Sequence, residues 1–257
     1  KYNMGFYRGP NIVKNGLVQM LDAANTKSYI TASTSWDNII SSDSFILLSS
    51  PAFSDTLHGT LTFASASSQR ATGSGTFIEE NFINNQNFTI GAFIKPTENS
   101  VSGNGRSAVY ANQRYKSEAS PGGFGINIIS NKYAINLTAE DTNEGGTGNA
   151  SSFQGLAQIP IIADVPQYVT YTWDNTGPSV KAYFNGVLTA TATNNSYQWT
   201  TSSASPQPVR PRLAQSTQGG WGNYFGADYY HYHLYNTALT ADEIVQNYNA
   251  LKSRFGL

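Results

Sequence analysis

The sequence contains no cysteine. That excludes a disulfide framework and any thiolate metal centre, so the fold must be held by packing and backbone hydrogen bonds alone. Charge is also scarce: Asp, Glu, Lys and Arg make up 12% of the 257 residues, where about a quarter is usual. The formal net charge of -1 provides no basic patch for nucleic acid or an anionic membrane surface, both of which are bound through clustered Lys and Arg. No apolar run reaches the length of a membrane span, and the opening "KYNMGFYRGP" lacks the apolar centre of a secretory signal. Neither nucleic acid binding nor membrane insertion is expected. Long helical periodicity is missing as well, with one exception near the end of the chain.

Aromatic residues, by contrast, reach 13%, and solubility rests on Ser, Thr, Asn and Gly. Short apolar or alternating stretches recur between polar loops. "GLVQMLDA" is the first, and "FTIGAFIKP" alternates Phe88, Ile90, Ala92 and Ile94 against Thr89, Gly91, Phe93 and Lys95 until Pro96 ends it. "SAVYANQR", "GGFGINIIS" and "YAINLTAE" follow, the last two joined by a predicted hairpin turn at Asn131 and Lys132. In "VKAYFNGVLTATA" the pair Asn185-Gly186 is a strong hairpin signal, because both residues tolerate positive φ. Gly- and Asn-rich segments such as "DTNEGGTGNASS" read as surface loops, since strands of the same kind resume on either side. One all-β domain of antiparallel strands is predicted, without internal repeats.

The exception is "YYHYHLYNTALTADEIVQNYNALKSRFGL". Period-two alternation puts Tyr229, His231, His233 and Tyr235 on one face of a strand and Tyr230, Tyr232 and Leu234 on the other. Thr240 and Glu243 then form T-x-x-E, a capping box. Beyond it Ile244, Tyr248 and Leu251 recur at helical spacing as an apolar stripe, with Gly256 at a C-cap position, which predicts a helix over 240–254.

The succession "NGLVQMLDAANTKSY", "FTIGAFIKPT", "GGFGINI", "VTYTWDNTGPSVKAYFNGVL" and "YFGADYYHYHLYNTALTADEIVQNYNALKSRFGL" resembles the concanavalin A-like, laminin-G-like jelly-roll family. The similarity is greatest to members that serve as virion structural proteins of tailed phages. It implies a two-sheet antiparallel sandwich over 16–257, with 1–15 as an N-terminal arm, the first and last strands paired, and the helix closing one end of the core. The segments "TSWDNIISSDSFILLSSPAFSDTLHG" and "VSGNGRSAVYANQRYKSEASPGG" are longer than the family pattern and are candidate carriers of specificity.

Related folds include glucanases, but the E-x-D-x-x-E strand pattern is absent, and Glu140 and Asp141 are adjacent and would face opposite sides. No catalytic residue is assigned. His231 and His233 could chelate a metal from one strand face, yet a third ligand is missing nearby. The resemblance implies no required cofactor and makes calcium an optional rim ligand, with Asp22, Asp141 and Asp174 at predicted strand ends as its candidate ligands. Sugar binding needs an aromatic face beside amides or carboxylates. Trp221 and Trp199, in or beside polar loops, and Arg114 with Tyr115 are the candidates, whereas Trp173, Tyr224 and Phe225 are assigned to the core. Tyr2, Phe6 and Tyr7 mark the arm as a candidate assembly strap.

Two classes of function follow from the resemblance. One is a non-enzymatic structural or decorating subunit of a phage particle, folded in the host cytoplasm and bound to other virion proteins or to its own copies. The other is an extracellular or particle-borne lectin-like module for a host-surface glycan, with a glycoside hydrolase as a more remote third.

Overall fold

In a computed structural model, which describes residues 11–55, 59–73, 82, 86–97, 107–112, 122–139, 151–199, 210–216 and 223–255, the apolar and alternating stretches pair into two sheets. Among the described residues there are sixteen strands. The first six are β1 (Leu17–Asp22), β2 (Ser35–Asp37), β3 (Ser44–Leu48), β4 (Ala52–Ser54), β5 (Thr60–Phe63) and β6 (Arg70–Gly73). β7 (Phe88–Pro96), β8 (Ser107–Ala111), β9 (Gly123–Ile129), β10 (Lys132–Ala139) and β11 (Ser151–Pro160) follow. β12 (Gln167–Asp174), β13 (Ser179–Phe184), β14 (Val187–Thr193), β15 (Arg212–Leu213) and β16 (Ala227–Tyr235) complete them, before one helix, α1 (Ala241–Leu251), and a 3₁₀ turn over Lys252–Phe255.

The first sheet runs β14-β13-β12-β7-β16-β5-β4, with β1 also on β16; the second runs β11-β10-β9-β8-β15-β6-β3-β2. All pairings are antiparallel, and the two inner faces enclose a core that includes Trp36, Phe88, Ile90, Tyr171, Trp173 and Tyr232. The arrangement is the predicted concanavalin A-like sandwich. Two of its strands, β2 and β3, and the short β4 lie inside the long segment after Tyr29, so this departure from the family pattern extends the two sheets.

β16 organises the first sheet. One edge pairs with β7 along its length, while the other is shared: Ala227–Tyr229 pair with β5, and His231–Tyr235 pair with β1. At the junction Tyr229 faces Ile94 and His231 faces Phe93, leaving Tyr230 as an extra residue. Its carbonyl accepts the Ala23 N–H at 3.0 Å. This bulge corrects the strict alternation expected from sequence. Tyr229 joins Tyr232 and Leu234 in the main core, and Tyr230 joins Tyr235 in a second apolar layer.

That second layer lies between the outer face of the first sheet and α1, with Phe93, Tyr168, Tyr183, Ile244, Leu251 and Phe255 among its members. The helix therefore covers a sheet face instead of closing the end of the sandwich. The capping box is formed, Thr240 Oγ1 accepting the Glu243 N–H at 3.3 Å while Glu243 Oε2 accepts the Thr240 N–H at 2.8 Å. Ile244 and Leu251 are buried as expected, which contributes about 1.5–3 kcal/mol each. Tyr248 is only half-buried, its ring stacked 6.1 Å from both Phe93 and Tyr168. The third anchor is instead polar. Asn247 is fully buried, accepts the Val13 N–H at 2.8 Å and donates to Tyr235 Oη at 3.0 Å, which in turn donates to the Val13 carbonyl.

Two turns bear on the sequence expectations. Asn185 and Gly186, at φ 50° and 81°, join β13 to β14. Between β9 and β10 the positive-φ pair is Ser130 and Asn131, one residue earlier than predicted.

Candidate functional site

Three chain segments meet at one rim of the sandwich to form an open cleft of about 550 Å³. β11 contributes Phe153, the β12–β13 turn contributes Asn175 and Pro178, and the stretch after β14 contributes Asn195, Ser196, Tyr197 and Gln198. Local hydrogen bonds fix each loop. Asp174 Oδ1 accepts the Thr176 N–H at 3.0 Å, and the Asn175 N–H donates to Asn87 Oδ1 at 2.8 Å, which sets the hairpin turn. Asn194 folds the following loop by accepting the Ser196 N–H on Oδ1 and the Tyr197 N–H on its carbonyl, both at 2.9 Å. Its own N–H donates to the Pro178 carbonyl at 3.2 Å, tying the two loops together.

Trp199 is the nail that holds this loop down. Its indole is fully buried, meets Phe88, Phe124 and Phe82 edge to face at 5.8, 5.2 and 6.3 Å, and donates to the Gln86 carbonyl at 3.2 Å. Trp199 thus offers no exposed face for stacking, and the expectation that it contacts ligand is corrected: its apolar surface is spent on the core. Two residues earlier Tyr197 remains half-buried, with its ring edge to face on Phe153 at 5.0 Å and 62°. Asn175 and Asn195 are exposed, and Gln198 half-exposed, around it. The cleft combines an aromatic platform with three planar amides and a hydroxyl, which suits multiple hydrogen bonds to a hydroxylated ligand. Trp199 in "SYQWTTSS" is the conspicuous aromatic of this loop, but the signal for the cleft is the amide-rich "NNSYQ" just before it.

A second cleft, of about 590 Å³, lies over β1 and is lined by Asp22, Asn25, Phe53, Asp55 and Arg254 among others. Asp22 ends β1 as expected, but its carboxylate is already engaged. Arg254 donates to both oxygens at 2.8 Å, and Oδ1 also accepts the Ala24 N–H at 3.0 Å. Burial pushes the Asp22 carboxyl up, yet the neighbouring Arg254 and His231 together outweigh it and hold the group well below the usual carboxylate range. Behind it stand the two histidines. His231 Nδ1 is 3.9 Å from Asp22 Oδ2, too far for a hydrogen bond; His231 Nε2 and His233 Nδ1 are 3.1 Å apart, and His233 Nε2 lies 2.9 Å from Tyr168 Oη. Three of the four ring nitrogens are thereby bonded to each other and to tyrosine, which leaves His231 Nδ1 as the one nitrogen of the pair outside this chain of bonds. Burial, then the neighbouring His231, lowers the His233 pKa well below the imidazole range, so it stays neutral. Gly91 makes room for this pair, since a Cβ there would collide with His233 Nε2 and with Thr170 Oγ1 at 2.8 Å.

The remaining expectations divide plainly. Asp174 caps its turn at the edge of the first cleft. Trp173 and Phe225 are buried, as assigned, whereas Tyr224 is half-buried with Arg70 5.9 Å from its ring centre and so is not core. Trp221, Arg114, Tyr115, Asp141, Tyr2, Phe6, Tyr7 and the pair Glu140–Asp141 fall outside the described residues.

The family model described as the concanavalin A-like lectin/glucanases superfamily matches residues 69–245. The chain belongs to that superfamily. Solved structures agree on the concanavalin A-like fold at low identity. The binding domain of paraclostridial mosquitocidal protein 1 superposes with a TM-score of 0.62 at 13% identity, over 91% of this chain and 52% of that one. The binding domain of botulinum neurotoxin DC in complex with rat synaptotagmin II gives 0.59 at 13% identity, over 92% and 52%. Trypanosoma rangeli sialidase in complex with the inhibitor DANA gives 0.59 at 14% identity, over 93% and 33%. This superfamily member thus spans about half the length of the two toxin binding domains and a third of the sialidase. No curated protein sequence matches it.

Proposed function

We propose that this domain is a non-catalytic carbohydrate-recognition module and that its ligand site is the cleft between Phe153 and Tyr197. The observation that carries the reading is Tyr197 itself: a half-buried ring, edge-packed on Phe153 and surrounded by the amides of Asn175, Asn195 and Gln198 on loops whose backbones are pinned. Rigid placement keeps the ordering cost of binding low. Superfamily membership supports the reading, as do solved neighbours in complex with SialylT or with sialic acid. Cleavage of a glycoside takes two carboxylates flanking the bond. The described residues that line this cleft include none.

Tyr197→Ala is expected to weaken glycan binding at least about tenfold, or roughly 1.4 kcal/mol, while the melting temperature stays near that of wild type. Binding on a glycan array followed by titration of the best hit checks this. Unchanged affinity in the variant would remove the site from the reading.

A place on a phage particle is the second proposal. It rests on the resemblance carried by "LTADEIVQNYNALKSRFGL" and on a surface feature. β14 is the outermost strand of its sheet, α1 touches it, and Val187, Leu188 and Val245 on these two elements are exposed. Uncharged apolar surface of this kind is enriched at the centres of subunit contacts. The full chain should co-sediment with particles from infected cells and should form contacts there that Val187→Lys weakens. A protein that remains monomeric and is found on no particle would dismiss this role.

A further inference from the structure

We infer that the Phe153–Tyr197 cleft selects uncharged sugars and rejects sialylated, uronic or phosphorylated ones. The inference deepens the carbohydrate-recognition reading and rests on it.

The lining settles which ligand charges can be accommodated. Tyr197, Phe153 and Pro178 provide apolar surface, while Asn175, Asn195, Gln198 and Ser196 provide neutral donors and acceptors. Among the described residues, no Lys, Arg or His lines the cleft. A carboxylate or phosphate seated there would lose hydration without gaining a cation, and an unpaired charge withdrawn from water is costly. Amides, by comparison, satisfy sugar hydroxyls and acetamido groups in both directions, because each offers two N–H donors and a carbonyl acceptor. The nearest carboxylate in sequence is Asp174, whose side chain accepts from Thr176 at the hairpin turn that presents Asn175. It adds repulsion toward an anion.

The stretches adjoining the lining residues in sequence add no cation. Segments 140–150, before β11, and 200–209, after Trp199, contain no Lys or Arg, and the first contains Glu140, Asp141 and Glu144. Nor does the other cleft supply an anion site. Its one guanidinium, Arg254, spends a bidentate pair on Asp22, and Asp55 stands beside it as a further negative charge. Among the described residues, each cleft therefore presents either no charge or a net negative one. Solved structures of the same fold appear with SialylT and with sialic acid; the described linings of the two clefts here offer no free cation to the carboxylate of such a ligand.

Aromatic geometry narrows the class further. Because Tyr197 and Phe153 meet edge to face and do not lie side by side, the pair presents one flat ring surface, enough for a single pyranose to stack. The flanking amides of Asn175, Asn195 and Gln198 line the same cleft and supply donors and acceptors for the hydroxyls of that one ring. The ligand class is a neutral hexose or N-acetylhexosamine unit, held end-on or within a chain.

The test uses paired probes on the full chain: N-acetyllactosamine against its sialylated form, and a neutral glucan oligomer against a uronic-acid oligomer of equal length. Titration should show the neutral member of a pair binding at least about tenfold more tightly, with Tyr197→Ala abolishing the difference. Gln198→Arg should shift preference toward the acidic member without loss of the fold, as monitored by circular dichroism. Equal or tighter binding of the acidic members by the wild-type chain, lost in Tyr197→Ala, would overturn the selectivity and leave the carbohydrate reading standing. If no probe and no glycan on a broad array binds, the carbohydrate reading itself fails and the selectivity with it.

Discussion

Replacement of Trp199 by Ala is expected to lower stability by about 3–5 kcal/mol, the range for large aromatic deletions in a packed core. The indole is fully buried, meets three phenylalanine rings, and satisfies the Gln86 carbonyl. Removing it leaves a cavity among Phe82, Phe88 and Phe124 that the flanking strands, β7 and β9, cannot close without breaking their pairing with β12 and with β8 and β10. Chemical denaturation with an unchanged m-value and a lower midpoint is the expected readout. A second effect follows from the same anchor. Trp199 fixes the end of the loop that carries Tyr197 and Gln198, so glycan affinity should fall even at temperatures where the variant remains folded. Trp199→Phe, which keeps apolar volume but loses the N–H, should recover most of the stability. A midpoint for Trp199→Ala within error of wild type would mean that the indole is not in the core.

The other large effect is expected at Arg254. Its guanidinium is 28% exposed, but its partner Asp22 is only 9% exposed at the side chain, so Arg254→Ala strands a nearly buried carboxylate. Breaking one side of a buried pair costs about 3–5 kcal/mol, and partial solvent access at Arg254 places the expected loss near 2–3 kcal/mol. The pH dependence distinguishes this from simple truncation. In the wild type the folded Asp22 pKa is depressed below its ordinary value of 3.8, so the pair stabilises fully above that value and its contribution is lost as pH falls below it. Without Arg254, burial is the largest influence left on Asp22 and opposes the charged form. The gap in stability between wild type and Arg254→Ala should be widest near neutrality and shrink as pH drops through about 4. A gap independent of pH would show that the pair contributes only packing.

Much of this molecule could be read from its residues, and the failures have definite physical causes. β7, β12 and the β13–β14 hairpin were legible because each keeps a strict pattern and is bounded by Pro96, Asp174 or Asn185-Gly186. The helix start was legible because Thr240 and Glu243 satisfy each other's backbone groups. The strand before it was misread at two residues, Tyr229 and Tyr230, which lie on the opposite faces from those expected. A bulge at Tyr230 leaves no mark in a run where every residue is aromatic, His or Leu. Asn247 escaped notice because a polar residue on an apolar helix face counts against the stripe until its partners, Val13 and Tyr235, are known. The candidate cleft was approached and missed by two positions. Trp199 and Tyr197 sit in the same polar loop, and nothing local distinguishes the ring that turns into the core from the one left at the surface. That difference is set by Phe82, Phe88 and Phe124, which are 75 or more residues away.

The shared edge of β16 has a consequence for how the chain reaches this state. Among the described strands, β16 alone joins β7 on one side to β1 and β5 on the other, and its residues lie more than 130 positions from β7 and about 210 from β1. Until Ala227–Tyr235 arrive, β7 has an unpaired edge along its whole length, and β1 and β5 have no common partner. Closing loops of that span is entropically expensive and is repaid only once both edges are zipped. Sheet formation should therefore be slow and concerted, with the central strand entering last, and α1, which packs over that strand, should gain its protection from hydrogen exchange in the same kinetic phase as β16 and not before it.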